Sequence, residues 1–205
     1  PEPGTLTGDY AAGTYYIALL AETLGLSAHK AERLLRAISR EKRTQSWAGA
    51  EATEARAAYA RAMAWCNWID FDDLVALAVR VLMSDPHIAE LYRGRWRWIS
   101  VDEFQDVDEQ QYRLLTLLAP PDGNLCAIGD PNQAIYGFRA AEVRNILDFP
   151  SQFSPPARVL SLQRNYRSTQ LILDAAHAVV SRNTARKDKK LWTEIAGGAK
   201  IQRFE

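Results

Sequence analysis

The chain has few of the residues that build metal centres and disulfide frameworks: two cysteines and three histidines in 205 residues. Cys66 and Cys126 are far apart and form no C-x-x-C pair. That argues against a disulfide scaffold or a cysteine zinc site, and it points to a reducing, cytoplasmic compartment. His29, His87 and His177 are isolated in sequence and read as surface or packed helical residues. No apolar run is long enough to span a bilayer and no signal peptide is visible, so no membrane partner is expected. There is no excess of positive charge either, with 25 Lys and Arg against 25 Asp and Glu. Any nucleic-acid binding must come from a local patch or from parts of a longer protein. The chain opens Pro-Glu-Pro-Gly without a methionine, the start expected of a piece of something longer.

What is present is ordinary globular composition, 47% hydrophobic and 24% charged, enough for a sizeable core in one domain or two small ones. The first third reads as helical. Tyr15 to Leu24 is apolar and ends at Gly25, a plausible C-cap. Ser27 can cap a helix with Leu34, Leu35 and Ile38 on one face. Glu41 to Gly49 is polar, with a loop expected near Trp47, and Ala50 to Trp68 is an alanine-rich helix. Asp70 precedes Phe71-Asp72-Asp73-Leu74, an N-cap with acids in the first turn, and that helix should run to about Met83. Asp85-Pro86 opens another. The basic positions Lys30, Arg33, Arg36 and Arg40 read first as a solvated helix face.

The second third changes character. Trp96 to Val101 predicts a strand, Asp108 to Ala119 a helix with a D-x-x-Q capping box, and Leu125 to Ile128 a second buried strand. Strand, helix, strand at this spacing predicts a parallel βαβ unit. A helix over Ala141 to Leu147, a linker from Phe149 to Pro156, a strand over Arg158 to Leu162 and a helix over Ser168 to Ser181 follow. Arg182 to Lys190 is polar and basic, and Ile201 to Phe204 could begin one more strand.

Chemistry gathers where the strands end. Trp98 to Asp106 reads W-I-S-V-D-E-F-Q-D, which sets two acids at the carboxyl end of the first strand, where open α/β sheets place ligands. Asp102 could hold a metal through water and Glu103 could orient or deprotonate an attacking water, as nucleotide hydrolases handle Mg²⁺ and a γ-phosphate. The plain alternative is an acidic surface turn. The second strand runs into G-D-P-N-Q-A-I-Y-G-F-R, residues 129 to 139. Gln133 can hydrogen-bond a phosphate oxygen and a water together, which suits a γ-phosphate sensor. Tyr136 and Phe138, with Arg139 beside them, suit base stacking and phosphate contact, or else core packing. The third strand ends in L-Q-R-N-Y-R-S, where Tyr166 could stack on a base. Arg167 could act there as an arginine finger, a device worth ~10³–10⁵ in rate.

D-E-F-Q-D, then G-D-P-N-Q-A-I-Y-G-F-R, then L-x-x-N-Y-R-S, in this order, resembles the UvrD/Rep/PcrA group of superfamily 1 DNA helicases. I-D-F-D-D-L upstream and K-K-L-W-T at Lys189 to Thr193 agree. The resemblance covers roughly residues 69 to 205 and is loose over the helical first third. It implies that Asp102 ligates Mg²⁺ and Glu103 is the catalytic base. It implies that Gln133 senses the γ-phosphate of ATP, Arg167 is a finger from a second RecA-like domain, and Tyr166 packs on adenine. Tyr136 and Phe138 would contact single-stranded DNA, Phe138 standing where relatives often carry tryptophan. Arg139 would bridge DNA or the domain interface, and Gln105 and Asp106 would couple the ATP and DNA sites.

Two departures matter. Ala140 stands where the group usually has glycine. No G-x-x-x-x-G-K-[ST] phosphate loop occurs anywhere in the chain, and the group's late motifs are missing too. The expectation is therefore a central fragment of an α/β, P-loop NTPase helicase. It would hold a helical insertion over 1–68, the latter part of a first RecA-like domain over 69–155, and the start of a second over 156–205. The resemblance implies a parent that couples ATP hydrolysis to 3′–5′ movement on single-stranded DNA and to unwinding of duplex junctions in repair or replication. The fragment alone should be inactive, and its unpaired sheet edges should invite self-association. A non-catalytic DNA-binding or regulatory module, and the helicase subunit of a recombination helicase–nuclease, are the other readings.

Overall fold

A computed structural model describes residues 9–46, 49–119, 123–137, 141–183 and 189–199. It shows a mixed α/β chain: a helical cluster, then a small parallel sheet with helices around it, then a further helix.

The helical cluster consists of α1 (Asp9–Leu24), α2 (Ala28–Thr44) and α3 (Ala50–Trp65). Gly25, at φ 63°, closes α1 in the left-handed conformation that glycine adopts at little cost. Ser27 caps α2 by accepting from the Lys30 N–H. Leu34 and Ile38 of α2 meet Leu20 of α1 and Ala55, Tyr59 and Met63 of α3 in one core. Leu20, Ile38 and Tyr59 are almost wholly buried there. Burial of such side chains stabilises by roughly 1.5–3 kcal/mol each. Helix α2 runs four residues into the polar stretch that begins at Glu41 and stops at Gln45, which is left-handed at φ 52°. Helix α3 ends at Trp65, short of the expected Trp68, because Asn67 takes φ 55°. The loop expected near Trp47 lies outside the described residues.

Helix α4 (Phe71–Ser84) starts at a full capping box between Asp70 and Asp73. Its first turn is pinned to the end of α2. Lys42 Nζ lies 2.7 Å from Asp70 Oδ2 and 2.8 Å from Asp73 Oδ1, and Arg43 Nε lies 2.6 Å from Asp72 Oδ1. The Tyr59 hydroxyl donates to Asp70 Oδ2 as well. Burial first, and then the facing Asp70 carboxylate, push that phenol far above its ordinary range. Helix α5 (Pro86–Arg95) begins on an Asp85 cap with proline in its first turn, as the sequence predicts.

The sheet has two strands, β1 (Ile99–Val101) and β2 (Leu125–Ala127), parallel and in the register Ile99–Leu125, Ser100–Cys126, Val101–Ala127. Between them lie a 3₁₀ turn (Phe104–Asp106) and α6 (Glu109–Leu118), which opens on the expected box of Asp108 and Gln111. Strand β1 is shorter than predicted: Trp96 closes α5, stacks on Tyr92 and leaves pairing to begin at Ile99.

The predicted helix over 141–147 forms only as α7 (Arg144–Asp148), because Ala141 instead bridges to Asp108. The stretch from Phe149, read from sequence as a linker, is packed structure. Phe149–Gln152 is a 3₁₀ turn, and Phe149 is buried against Phe104 with ring centroids 5.1 Å apart. Arg158 to Leu162 is not a strand. Leu160 and Leu162 are 72% and 87% exposed, and no strand pairs with the segment among the described residues. Pairing comes just later, where Arg164 bridges in parallel to Trp192. Helix α8 (Gln170–Val180) follows. Ile201 to Phe204 lies outside the described residues. No helix among those described is long and apolar enough to cross a membrane.

Candidate functional site

The carboxyl ends of β1 and β2 are knit together beyond the ladder. Ile128 N–H donates to Val101 O at 2.8 Å, and Phe104 N–H donates to Ile128 O at 2.9 Å. Asp102 and Glu103 therefore leave one strand at the edge where Gly129 and Asp130 leave the other. Both acids are exposed. Asp102 Oδ1 accepts from the Glu103 N–H at 2.9 Å. Glu103 itself is left-handed, φ 50° and ψ 41°, an uncommon conformation for a side chain of its size.

Gln105 ties the two loops together. It is buried to 1% exposure and uses both ends of its amide. Nε2 donates to Glu103 Oε2 at 2.7 Å, while Oε1 accepts from the Asp130 N–H at 2.9 Å. Phe104, wholly buried, anchors the same turn among Val107, Phe149 and Tyr112. Asp106 keeps one buried carboxylate oxygen, Oδ1, without a hydrogen-bond partner, beside an oxygen that meets the Gln105 amide at 3.4 Å.

Gln133 sits at the end of a one-turn 3₁₀ helix, Pro131–Gln133, capped by Asp130. Its Nε2 donates to Asp130 Oδ2 at 2.9 Å, and its side chain is exposed beside the same strand ends. Asp130 also accepts from the Asn132 N–H and pairs with Lys189 at 2.6 Å. Burial alone would raise the Asp130 carboxyl. The Lys189 ammonium, the Gln133 amide and the Asn132 N–H outweigh burial and hold it below the ordinary value.

Tyr136 follows in the same loop, half-buried. Phe138 and Arg139, like Ala140, lie outside the described residues. Tyr166 and Arg167 lie in a separate turn after residues 158–162. Asn165 Oδ1 accepts from the N–H groups of Arg167 and Ser168 and shapes that turn. Tyr166 is 76% exposed and lies over the Arg164 guanidinium, which also lies over Trp192. The structure thus brings Asp102, Glu103 and Gln133 to one edge, with Gln105 and Asp130 as their supports. Tyr166 and Arg167 form a second group.

The sequence reading missed Asp130 and Lys189. The G-D-P triplet carried a signal for the first, since an acid before proline commonly caps a turn. Lys189 had only its place in K-K-L-W-T. The basic helix face is internally paired in part, Lys30 and Arg33 both meeting Glu51, as a solvated face would be.

The chain is thus a mixed α/β protein with a polar cluster beyond the carboxyl ends of two parallel strands, the edge where open α/β sheets place ligands. The family described as the UvrD/REP helicase N-terminal domain matches residues 17–154, and the chain belongs to that family. It is 43% identical over 147 residues to the ATP-dependent DNA helicase PcrA of Staphylococcus epidermidis, an alignment covering 72% of this chain and 20% of the relative. It is 45% identical over 150 residues to the ATP-dependent DNA helicase UvrD1 of Mycobacterium tuberculosis, covering 70% and 19%. PcrA of Staphylococcus aureus is 42% identical over 147 residues, covering 72% and 20%. The chain spans about a fifth of the length of these curated relatives.

Proposed function

We propose that this chain is the central part of an ATP-dependent DNA helicase of the UvrD type, with a RecA-like P-loop NTPase fold. Residues 1–68 would be a helical insertion, 69–155 the latter part of the first motor domain, and 156–205 the start of the second. The observation that carries the reading is the meeting of Asp102, Glu103 and Gln133 at the carboxyl ends of two parallel strands, in a chain of this family.

Each residue present fits a step of γ-phosphate hydrolysis. Asp102 has one carboxylate oxygen engaged by the Glu103 N–H and the other without a partner among the described residues, which suits a water-mediated hold on Mg²⁺. No group of three or more acids, histidines or cysteines among the described residues is placed to hold a metal. Mg²⁺ would accordingly need ATP phosphates for most of its shell, and when bound it would offset their charge. Glu103, steadied by Gln105, would orient and deprotonate the attacking water. Gln133 would report on the γ-phosphate. Arg167 would reach the site when the two lobes close, with Tyr166 against the base of the nucleotide. Tyr136, Phe138 and Arg139 would meet single-stranded DNA, so that opening and closing advance the strand 3′ to 5′ toward a duplex junction.

The test is DNA-stimulated ATPase activity. In the full-length parent, Glu103→Gln should lower kcat by ~10²–10⁴-fold, the worth of a general base, and leave nucleotide binding in place. The 205-residue chain alone, lacking a phosphate loop, should turn over ATP negligibly. Robust, Glu103-dependent turnover by the chain alone would refute that assignment of parts.

A further inference from the structure

Lys189 begins the K-K-L-W-T run, none of whose residues has a role in the proposed chemistry. Its ammonium lies 2.6 Å from Asp130 Oδ2, the same oxygen that accepts from Gln133 Nε2 at 2.9 Å. The pair is largely shielded, with side chains 21% and 15% exposed. Three residues on, the same segment is tied to the turn that carries Tyr166 and Arg167. Trp192 N–H donates to Gln163 O at 3.1 Å, and Asn165 N–H donates to Trp192 O at 2.8 Å. One short stretch thus touches the support of Gln133 with its lysine and the Arg167 turn with its backbone.

We propose that Lys189 is a positioning residue that sets the aim of Gln133 through Asp130, and so links Gln133 to the segment bearing Arg167. The inference rests on the nucleotide site proposed above. An amide has two N–H donors and a carbonyl acceptor. Asp130 takes one N–H, which fixes the plane of the group and leaves the other N–H and the oxygen for a phosphate and a water. Asp130 is at the same time a carboxylate near the place where a polyanion would bind. Lys189 neutralises it, and without that cation the carboxylate would repel the phosphates and draw in water. The depressed Asp130 carboxyl agrees with this pairing.

The experiment uses the full-length parent and measures kcat and KM of the DNA-stimulated ATPase with the melting temperature of each variant. Lys189→Met should lower kcat by ~10-fold or more, as misplacement of a reacting group does, with little change in KM for ATP. Lys189→Arg should keep most of the rate. The deciding readout is Lys189→Met in a Gln133→Ala background. No further loss there supports positioning through Gln133. Losses that multiply, or a wild-type kcat for Lys189→Met alone, overturn the proposal. Should Lys189→Met fail to fold, Asp130→Asn replaces it, with the same non-additivity expected against Gln133→Ala. Glu103→Gln separates the two readings. If that variant keeps full turnover, the nucleotide site itself is wrong. If it is inactive while the Lys189 and Gln133 losses multiply, only the role of Lys189 fails.

Discussion

Gly129 and Gln105 meet so closely that a β-carbon on residue 129 would stand 2.4 Å from Gln105 Oε1. Ile146 Cδ1 at 2.8 Å and the Phe104 backbone nitrogen at 3.1 Å close the other sides. The glycine is needed for space: it lets the end of β2 lie against the turn that follows β1.

Gly129→Ala should therefore displace the Gln105 amide and weaken its hydrogen bonds to Asp130 and Glu103. Overpacking of this kind costs about 1–3 kcal/mol. Urea unfolding of the variant measures it, and wild-type stability would mean that the strand ends are not packed this tightly.

Lys42 bridges Asp70 and Asp73, in a joint where its side chain is 14% exposed. Lys42→Met leaves two shielded carboxylates facing each other, and breaking one side of such a buried pair costs about 3–5 kcal/mol. Arg36→Met makes the contrast. Its side chain is 79% exposed and it pairs with Glu32 one turn away, so the loss should be under about 0.5 kcal/mol. Denaturant midpoints of the two variants should separate widely. Equal midpoints would remove the joint as a source of stability.

Asp130 gives a pH dependence with a definite sign. Its carboxyl is held below the ordinary value, despite burial, by Lys189, Gln133 and the Asn132 N–H. A group depressed in the folded state contributes stability that is whole above its unfolded pKa, about 3.9 for aspartate, and that is lost as pH falls through the lower folded value. Asp130→Asn should thus show a shallower loss of stability than the wild type below about pH 4. Unfolding free energies measured down the acid range check this, and parallel profiles would contradict it.

Much of this fold was legible because its signals are short-range. Ser27, Asp70, Asp85 and Asp108 cap the helices they were read to cap, since a side-chain oxygen and an N–H two or three residues away decide the matter locally. The acids after β1 and the Gly-Asp-Pro after β2 were legible as strand ends for the same reason. What stayed hidden depends on distant partners. Arg158 to Leu162 has strand composition, but a strand also needs a neighbour, and the described pairing begins only at Arg164. Phe149 stands beside prolines and looked like linker, yet its ring is held by Phe104 and Phe153. Gln105 to Asp130 and Asp130 to Lys189 join residues far apart in the chain, and no local pattern announces such pairs.

The two-stranded sheet leaves one side of each strand unpaired among the described residues. Trp98, just before β1, is 76% exposed, and Ile128, just after β2, is 49% exposed. Open edges of this kind template pairing with other chains. The isolated 205-residue chain should self-associate with rising concentration in sedimentation velocity, and Trp98→Lys should reduce the effect. A strictly monomeric chain across the accessible range would count against it.

The left-handed backbone at Glu103 has a thermodynamic meaning of its own. An L-residue in that conformation gives up roughly 1–2 kcal/mol that glycine would not. That cost is set against the 2.7 Å hydrogen bond that the Glu103 carboxylate accepts from the buried Gln105 amide, which glycine could not accept. Backbone strain and a buried hydrogen bond thus meet at one residue, and the strained turn is held by the same side chain to which the proposed chemistry is assigned.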